Sequence, residues 1–213
     1  MNEKELLSEE QLDYLREMMN IGAGNASTAL SQLLQCSLEM GIPEVHISAA
    51  PKVAEILGNP SLPFAGVRMD MIGNVRGSLF FVVPDKQKID LIGIAEKAMF
   101  GKKKKGSYND LSALEEIGNI LAGVYLTAIH DFCKLNIYHS VPTLAIDMIQ
   151  SLLDESILDM ACEASRVIVI FNQFFIFERS INTVFLIIPT MDSLKILVDS
   201  TQETREMYGF KKD

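Results

Sequence analysis

The chain has 213 residues, of which 48% are hydrophobic, and it carries a net charge of −9. This length and composition suffice for a sizeable hydrophobic core, in one domain or in two fused halves. The acidic balance argues against nucleic-acid binding, because that function needs an excess of cations to neutralise phosphates. The lysine run at 102–105 lies between glycines and is interpreted as a solvated loop.

The cysteines and the N-terminal segment indicate the cellular compartment of the protein. Cys36, Cys133 and Cys162 form no CxxC pair and no dense framework, as is typical of reduced, buried thiols in a cytoplasmic protein. The charged N-terminal segment lacks the apolar stretch of a signal peptide. No apolar run approaches the ~20 residues needed to cross a bilayer. We therefore expect a soluble cytoplasmic protein without membrane insertion.

The first long helix is predicted from Ser8 to about Ser37. Ser8 and Gln11 fit a capping box, in which each side chain bonds to the backbone N–H of the other residue. We expect the helix to stop at the sequence MGIPEV, because the residue before Pro43 is disfavoured in helical geometry. The sequence EVHISAA that follows predicts a strand.

Four further strands are predicted from alternating or β-branched runs: VRMDMIG (67–73), GSLFFVVP (77–84), RVIVIF (166–171) and NTVFLIIP (182–189). An amphipathic helix should follow each proline-ending strand, with the proline in its first turn. A second long helix is predicted from near residue 110 to before residue 142, and a shorter one at 153–163. Consecutive strands favour an antiparallel sheet, with the two long helices on one face.

The sequence contains an internal duplication. Residues 15–47 align with residues 114–146 without a gap and with ten identities, and GSLFFVVPDKQKIDLI parallels NTVFLIIPTMDSLKIL later in each half. We therefore predict an α+β fold with a pseudo-twofold repeat and a central antiparallel sheet. Residues 1–213 should form a single domain of two homologous halves, at about 8–100 and 110–207. The linker is placed at FGKKKKGSYND.

One face of each long helix carries the same polar pattern. The positions follow spacings of four, three and four residues, which is one helical face: Asp13, Glu17, Asn20 and Gly24 in the first copy, and Ser112, Glu116, Asn119 and Gly123 in the second. A solvated outer face would explain polar residues in general. However, Asn is a modest helix former and Gly costs ~1 kcal/mol relative to Ala. Their retention in both copies suggests that a second molecule approaches the helix closely at the glycine.

Other chemistries fit the sequence less well. GAGNAS follows a helical segment rather than the strand that a dinucleotide-binding loop requires, and there is no phosphate-loop motif. His46, His130 and His139 show no metal-type spacing and are interpreted as surface or packing residues. We expect no metal or cofactor to be bound by this chain. A Glu and an Asn without a nucleophile suit a substrate that brings its own metal and reactive bond.

At this spacing the pattern resembles the signature of the CheC/CheX/FliY family of chemotaxis phosphatases. The family motif is [D/S]-x-x-x-E-x-x-N followed by 22 residues and a proline. It occurs here as Asp13, Glu17, Asn20 and Pro43, and again as Ser112, Glu116, Asn119 and Pro142. The resemblance implies an α+β fold with exposed motif helices, dephosphorylation of phosphorylated CheY, and the deamidase CheD as a partner.

The resemblance also implies a role for each motif residue. Asn20 or Asn119 would orient a water molecule for attack on the aspartyl phosphate of the regulator. Glu17 or Glu116 would bind a cation of the regulator, while Asp13 and Ser112 would add docking hydrogen bonds. Pro43 and Pro142 would end the helices and set their angle. The Mg²⁺ ion would belong to the regulator.

Two alternatives stay open at this stage. The protein could be an interaction module that binds CheD or phosphorylated CheY without turnover, although an adaptor need not keep the amide at both sites. It could also be a flagellar switch component of the FliY type. We expect the latter less, since 213 residues leave no room for an added switch domain.

Overall fold

The structure is a computed structural model that describes residues 8–49, 52–57, 62–100, 111–159, 166–176 and 179–208. The elements of the first half are α1 (Glu9–Leu34), β1 (Leu38–Met40), β2 (Glu44–Ala49), α2 (Val53–Ile56), β3 (Pro63–Gly73), β4 (Gly77–Pro84) and α3 (Asp85–Phe100). Those of the second half are α4 (Ser112–Cys133), β5 (Ile137–His139), β6 (Thr143–Met148), α5 (Ile149–Asp159), β7 (Arg166–Ile176), β8 (Arg179–Pro189) and α6 (Met191–Tyr208).

The two halves repeat the same order of elements, and this confirms the predicted α+β duplication. Each half runs through a long helix, two short strands, a shorter helix, a β-hairpin and a closing helix. The four strands predicted from apolar runs are present as β3, β4, β7 and β8. The predicted linker at 101–110 and Cys162 lie outside the described residues.

The strands form one antiparallel sheet in the order β1-β7-β8-β4-β3-β5. β2 also pairs with β7, and β6 also pairs with β3. β4 and β8 meet at the centre, where Phe81 lies opposite Phe185. The halves therefore exchange strands: the short strands of each half pair with the hairpin of the other half.

Each face of the sheet is covered by its own set of helices. Leu79 and Phe81 of β4 belong to the larger core cluster, which also contains buried residues of α1, α3, α4 and α6. Phe80 and Val82 point to the opposite face and pack with α2 and α5. The alternation follows from strand geometry, in which successive side chains point to opposite faces. The two motif-bearing helices thus lie on one face, as predicted.

Tyr125 of α4 joins several elements at the centre of the larger core. Its ring stacks on Phe185 of β8 with the ring centroids 4.9 Å apart. Its hydroxyl donates a buried hydrogen bond of 2.6 Å to Oδ1 of Asn172 on β7. The ring also lies against Gly22 of α1, where an added Cβ would stand 2.7 Å from Cδ1. Burial raises the pKa of the Tyr125 phenol well above its ordinary value.

The ends of the long helices differ from the prediction. The capping box of Ser8 and Gln11 is present as predicted. However, α1 ends at Leu34 rather than near Ser37, because Gln35 adopts a left-handed conformation with φ 48°. α4 ends likewise at Cys133, where the backbone N–H of the left-handed cap residue donates to the carbonyl of His130.

The assignment of Pro43 and Pro142 as helix-terminating residues was therefore wrong. Each proline follows its helix by nine residues, and a three-residue strand lies between them. Pro43 directly precedes β2, and Pro142 directly precedes β6. The left-handed caps end the helices, so the prolines fix the entry to the next strand. Pro84 and Pro189 were also misplaced, since each is the last residue of a strand rather than part of a helical first turn.

Two further observations complete the architecture. α5 begins at Ile149, four residues before the predicted start of the shorter helix. Among the described residues, no helix is both long and apolar enough to span a membrane.

Candidate functional site

The motif side chains lie on the outward face of α1 and α4. In the first copy the four positions Asp13, Glu17, Asn20 and Gly24 are all exposed. In the second copy Ser112 is exposed, and the other three, Glu116, Asn119 and Gly123, are half-buried. The opposite side of each helix is buried in the core. The sheet thus holds each helix by its apolar face and leaves the motif available to a second molecule, more openly in the first copy.

Within the first copy, the carboxylates differ in their surroundings. Asp13 accepts a hydrogen bond of 2.9 Å from Nη1 of Arg16, one turn along the helix. The side chains of Glu17 and Asn20 make no hydrogen bond or ion pair with any residue in the described part of the chain. One carboxylate and one amide therefore stand on adjacent turns with their hydrogen-bonding capacity unused.

The glycines of the motif face leave a bare helix edge. A Cβ at Gly24 would meet nothing within 4 Å, and a Cβ at Gly123 would meet only Nε2 of His139, at 3.8 Å. In contrast, a Cβ at Gly22 on the buried side would come within 2.7 Å of the Tyr125 ring. Internal packing therefore explains Gly22 and does not explain Gly24 or Gly123. The absence of a side chain at these two positions leaves space beside the helix for a second molecule.

The second copy also borders a groove of about 380 Å³ between α4 and β5. Its lining consists of Gly123, Leu126, Thr127, His130, Asn136, Ile137, Tyr138 and His139. Nδ1 of His130 lies 2.8 Å from the carbonyl oxygen of Leu135, and Nδ1 of His139 lies 3.0 Å from that of Ser140. A carbonyl accepts only from N–H, so both rings carry a proton on Nδ1. In the neutral rings Nε2 is therefore a hydrogen-bond acceptor.

The corresponding region of the first half is built differently. Ser31 and Met40 stand where the second half has the two histidines. The hydroxyls of Ser27 and Ser31 both donate to the carbonyl of Leu38, at 2.8 and 3.2 Å, and so bind β1 directly to α1. The two motif copies are therefore unequal in their surroundings. Sequence reasoning treated the histidines as scattered residues, because only the folding of β5 onto α4 brings His130 and His139 to one groove.

The site can bind and orient another molecule, but it carries no nucleophile of its own. Among the described residues, no three His, Cys, Asp or Glu side chains are grouped so as to hold a metal ion. Burial raises the pKa of the Cys133 thiol to about 11 and also raises that of Cys36, so these two thiols are poor nucleophiles at neutral pH. A carboxylate and a carboxamide on a bare helix edge are suited to act on a reactive group that another molecule supplies.

Comparison with known proteins places these features in a family. The profile of the CheC-like family matches residues 10–47 and 110–146, the two segments that contain the motif. The chain is 33% identical over 198 residues to the CheY-P phosphatase CheC of Bacillus subtilis (strain 168), which covers 90% of this chain and 93% of that protein.

Two solved structures share the fold. Thermotoga maritima FliY superposes with a TM-score of 0.73 and 19% identity, over 93% of this chain and 99% of that one. A chain of the FliM–SpeE complex from H. pylori superposes with a TM-score of 0.68 and 14% identity, over 94% and 99% of the two chains.

Proposed function

This chain belongs to the CheC-like family, and from that premise we propose that it is a phosphatase that hydrolyses the aspartyl phosphate of the chemotaxis response regulator CheY. Within the family, the similarity to a CheC protein extends over 90% of this chain and 93% of that protein. The observation that carries the proposal is the Glu-x-x-Asn pair, exposed on α1 and repeated half-buried on α4, in a chain 33% identical to a CheY-P phosphatase.

In this proposal the amide of Asn20 or Asn119 positions the attacking water. The regulator supplies the aspartyl phosphate and its Mg²⁺ ion. The water oxygen attacks phosphorus, the bond to the aspartyl oxygen breaks, and inorganic phosphate leaves. Phosphoryl transfer needs an in-line nucleophile and charge neutralisation but little covalent work by the partner. An exposed amide without an internal partner, as at Asn20, supports this role because it is free to bind the water.

Glu17 or Glu116 serves in this proposal as the anchor. Each lies one turn before the asparagine, about 5 Å along the helix face, so both side chains reach the same partner. The carboxylate binds a cation of the regulator, such as an active-site lysine, and fixes the register of the helix. Asp13 and Ser112 add docking contacts at the next turn. Asp13 does so while it accepts the hydrogen bond from Arg16.

The partners and the setting follow from the same proposal. Phosphorylated CheY is the substrate, CheD is the regulatory partner, and both meet this chain in the cytoplasm. The alternative is a module that binds CheD or phosphorylated CheY without turnover. The likeness to FliY and FliM is below 20% identity and concerns the fold alone, so it does not favour a flagellar switch role.

The test is the decay of purified phosphorylated CheY in the presence of this protein. We expect the double variant Asn20→Ala with Asn119→Ala to lose about 10²-fold in acceleration, or ~2–3 kcal/mol of barrier lowering. The matched control is Asn25→Ala, an exposed asparagine on α1 outside the motif, which should keep full activity. The free energy of unfolding of each variant should lie within about 0.5 kcal/mol of the wild-type value, because these positions are not fully buried.

The same assay separates the proposal from its alternative. A wild-type chain that binds phosphorylated CheY but leaves its decay unchanged would support the interaction module instead. An unchanged rate in the double asparagine variant would refute the water-positioning role. Addition of CheD to the assay tests the partner, since a regulatory partner should change the rate and an unrelated acidic protein should not.

A further inference from the structure

Two large aliphatic side chains are strongly exposed at equivalent positions of the two halves. Ile42 is 88% exposed and Val141 is 83% exposed, more than any other large hydrophobic residue in the described part of the chain. The duplication aligns them, and each directly precedes the proline of its motif. Single exposed aliphatic residues are common on protein surfaces. Here, however, both copies keep a β-branched aliphatic side chain that no core contact explains.

The backbone around each of these residues is fixed. Before Ile42, the N–H of Gly41 donates to the carbonyl of Gln173 at 2.9 Å. Before Val141, the N–H of Ser140 donates to the carbonyl of Asp70 at 2.9 Å. The proline that follows restricts each residue to extended geometry. The two side chains are thus held outward by a rigid backbone, and docking on them would order little additional chain.

Two contacts between α4 and the segment after it show in which direction the chain leads to Val141. The Leu135 carbonyl lies at His130, and four residues later His139 lies at Gly123. The segment from Leu135 to His139 therefore runs antiparallel to α4, from His130 back to Gly123. Val141 follows His139 by two residues and so lies beyond it in the direction of the motif end of α4.

The duplication gives the same relation in the first half. Ser31 and Ser27 hold the Leu38 carbonyl against α1, so β1 runs back along the helix as β5 does. Ile42 lies four residues beyond this carbonyl, at the position that the duplication aligns with Val141. Each half therefore carries one exposed aliphatic residue in the loop that follows the short strand beside its motif helix.

We propose that Ile42 and Val141 are docking residues for the substrate, each packing on an apolar patch of the response regulator beside its phosphorylated aspartate. The inference rests on the proposed function and names a contact that the motif does not include. A protein that covers the motif edge of α1 or α4 extends to the loop that carries the aliphatic side chain of that half. Apolar contacts around a polar centre are the usual source of affinity in protein interfaces.

The first experiment separates docking from chemistry by steady-state kinetics. The variant Ile42→Ser with Val141→Ser should raise KM for phosphorylated CheY by about tenfold and leave kcat within about twofold. The matched control is Ile89→Ser on α3, where an isoleucine is 71% exposed outside the motif helices and their following loops, and its KM should not change. The exchange Ile42→Val with Val141→Ile should also keep the KM of the wild type, because apolar area is retained.

A second experiment pairs each aliphatic residue with its own motif. In an Asn119→Ala chain only the first site works, so Ile42→Ser should raise KM and Val141→Ser should not. In an Asn20→Ala chain the two effects should be reversed. An unchanged KM in the double serine variant, the same rise for Ile89→Ser, or loss of this pairing would each overturn the proposal.

Failure of the proposed function can be recognised separately. CheY activated with beryllofluoride, a stable mimic of the aspartyl phosphate, is titrated against wild type and the double serine variant. Binding that the serine variant weakens by about tenfold supports the docking residues even if wild type shows no hydrolysis. No binding by wild type, or equal binding by the two chains, overturns the docking proposal.

Discussion

Gly22 of α1 lies directly against Tyr125 of α4, so closely that a Cβ at Gly22 would stand 2.7 Å from Cδ1 of the ring. Two residues further along the same helix, Gly24 faces open space. The short sequence NIGAG therefore holds two glycines with different physical roles. Gly22 allows the two long helices to approach each other, and Gly24 leaves the outer edge of the helix bare.

Gly22→Ala should destabilise the protein by about 1–3 kcal/mol. The added methyl group overpacks against a buried aromatic ring, and this outweighs the ~1 kcal/mol that alanine contributes to helix stability. The measurement is the free energy of unfolding in urea. Gly24→Ala is the matched control and should be stabilising by up to ~1 kcal/mol. Equal effects of the two substitutions would contradict the packing role of Gly22.

Gly24→Ala combined with Gly123→Ala should separate stability from activity. Both methyl groups fit the folded chain without a clash, so the free energy of unfolding should rise. If a partner approaches the bare helix edges, the same methyl groups should lower kcat/KM for phosphorylated CheY by about tenfold or more. A stabilised double variant with full activity would show that the open edges are not part of the substrate contact.

Tyr125→Phe should cost about 1–3 kcal/mol of stability, because it removes the only donor seen on Oδ1 of Asn172 in the described residues and leaves this buried oxygen unsatisfied. Tyr138→Phe is the control, since that tyrosine is 65% exposed and should change stability little. A double-mutant cycle of Tyr125→Phe with Asn172→Leu should give less than the sum of the single losses. Strict additivity would argue against the hydrogen bond.

The free energy of unfolding should fall as the pH rises above about 9. Burial raises the pKa of the Cys133 thiol from 9.0 to about 11, and it raises the pKa of the Tyr125 phenol as well. As pH rises, the unfolded chain therefore releases these protons first, and the folded chain holds more of them. Between about pH 9 and 11 the thiol lowers the free energy of unfolding by at most ~1.4 kcal/mol per pH unit.

The check is a series of urea unfolding curves from pH 7 to pH 10.5 under reducing conditions. Cys133→Ala shifts the whole series by a constant cost of truncation, so the slope with pH is the informative quantity. The slope above pH 9 should be shallower for Cys133→Ala than for wild type. Identical slopes would mean that the thiol ionises at the same pH in the folded and unfolded chains.

Signals confined to a few neighbouring residues were sufficient to predict much of the fold. Ser8 and Gln11 identify the start of α1, because a capping box needs only the residues of one helical turn. β4 and β8 were recognised as continuous apolar runs, since their side chains are buried on both faces of the sheet. The polar stripe of the motif was likewise readable from its spacing on one helix.

Other features depend on contacts that the sequence does not display locally. Gln35 ends α1 in a left-handed conformation that a glycine would usually mark. β1 has only three residues, and its partner β7 lies more than 120 residues away, so no periodic pattern identifies it. The same limit applies to the groove beside Gly123, which forms from two elements that meet only in the folded chain.

The exchange of strands between the halves has a consequence for their independence. A cut between α3 and α4 would leave each fragment with a hairpin and two short strands that have lost their pairing partners. Those partners are strands of the other fragment. Each fragment would complement the other, as two subunits do when they insert strands reciprocally. The chain is in this sense a twofold dimer in one polypeptide. Covalent fusion allows its two motif copies to evolve separately, one open to solvent and the other beside a histidine-lined groove.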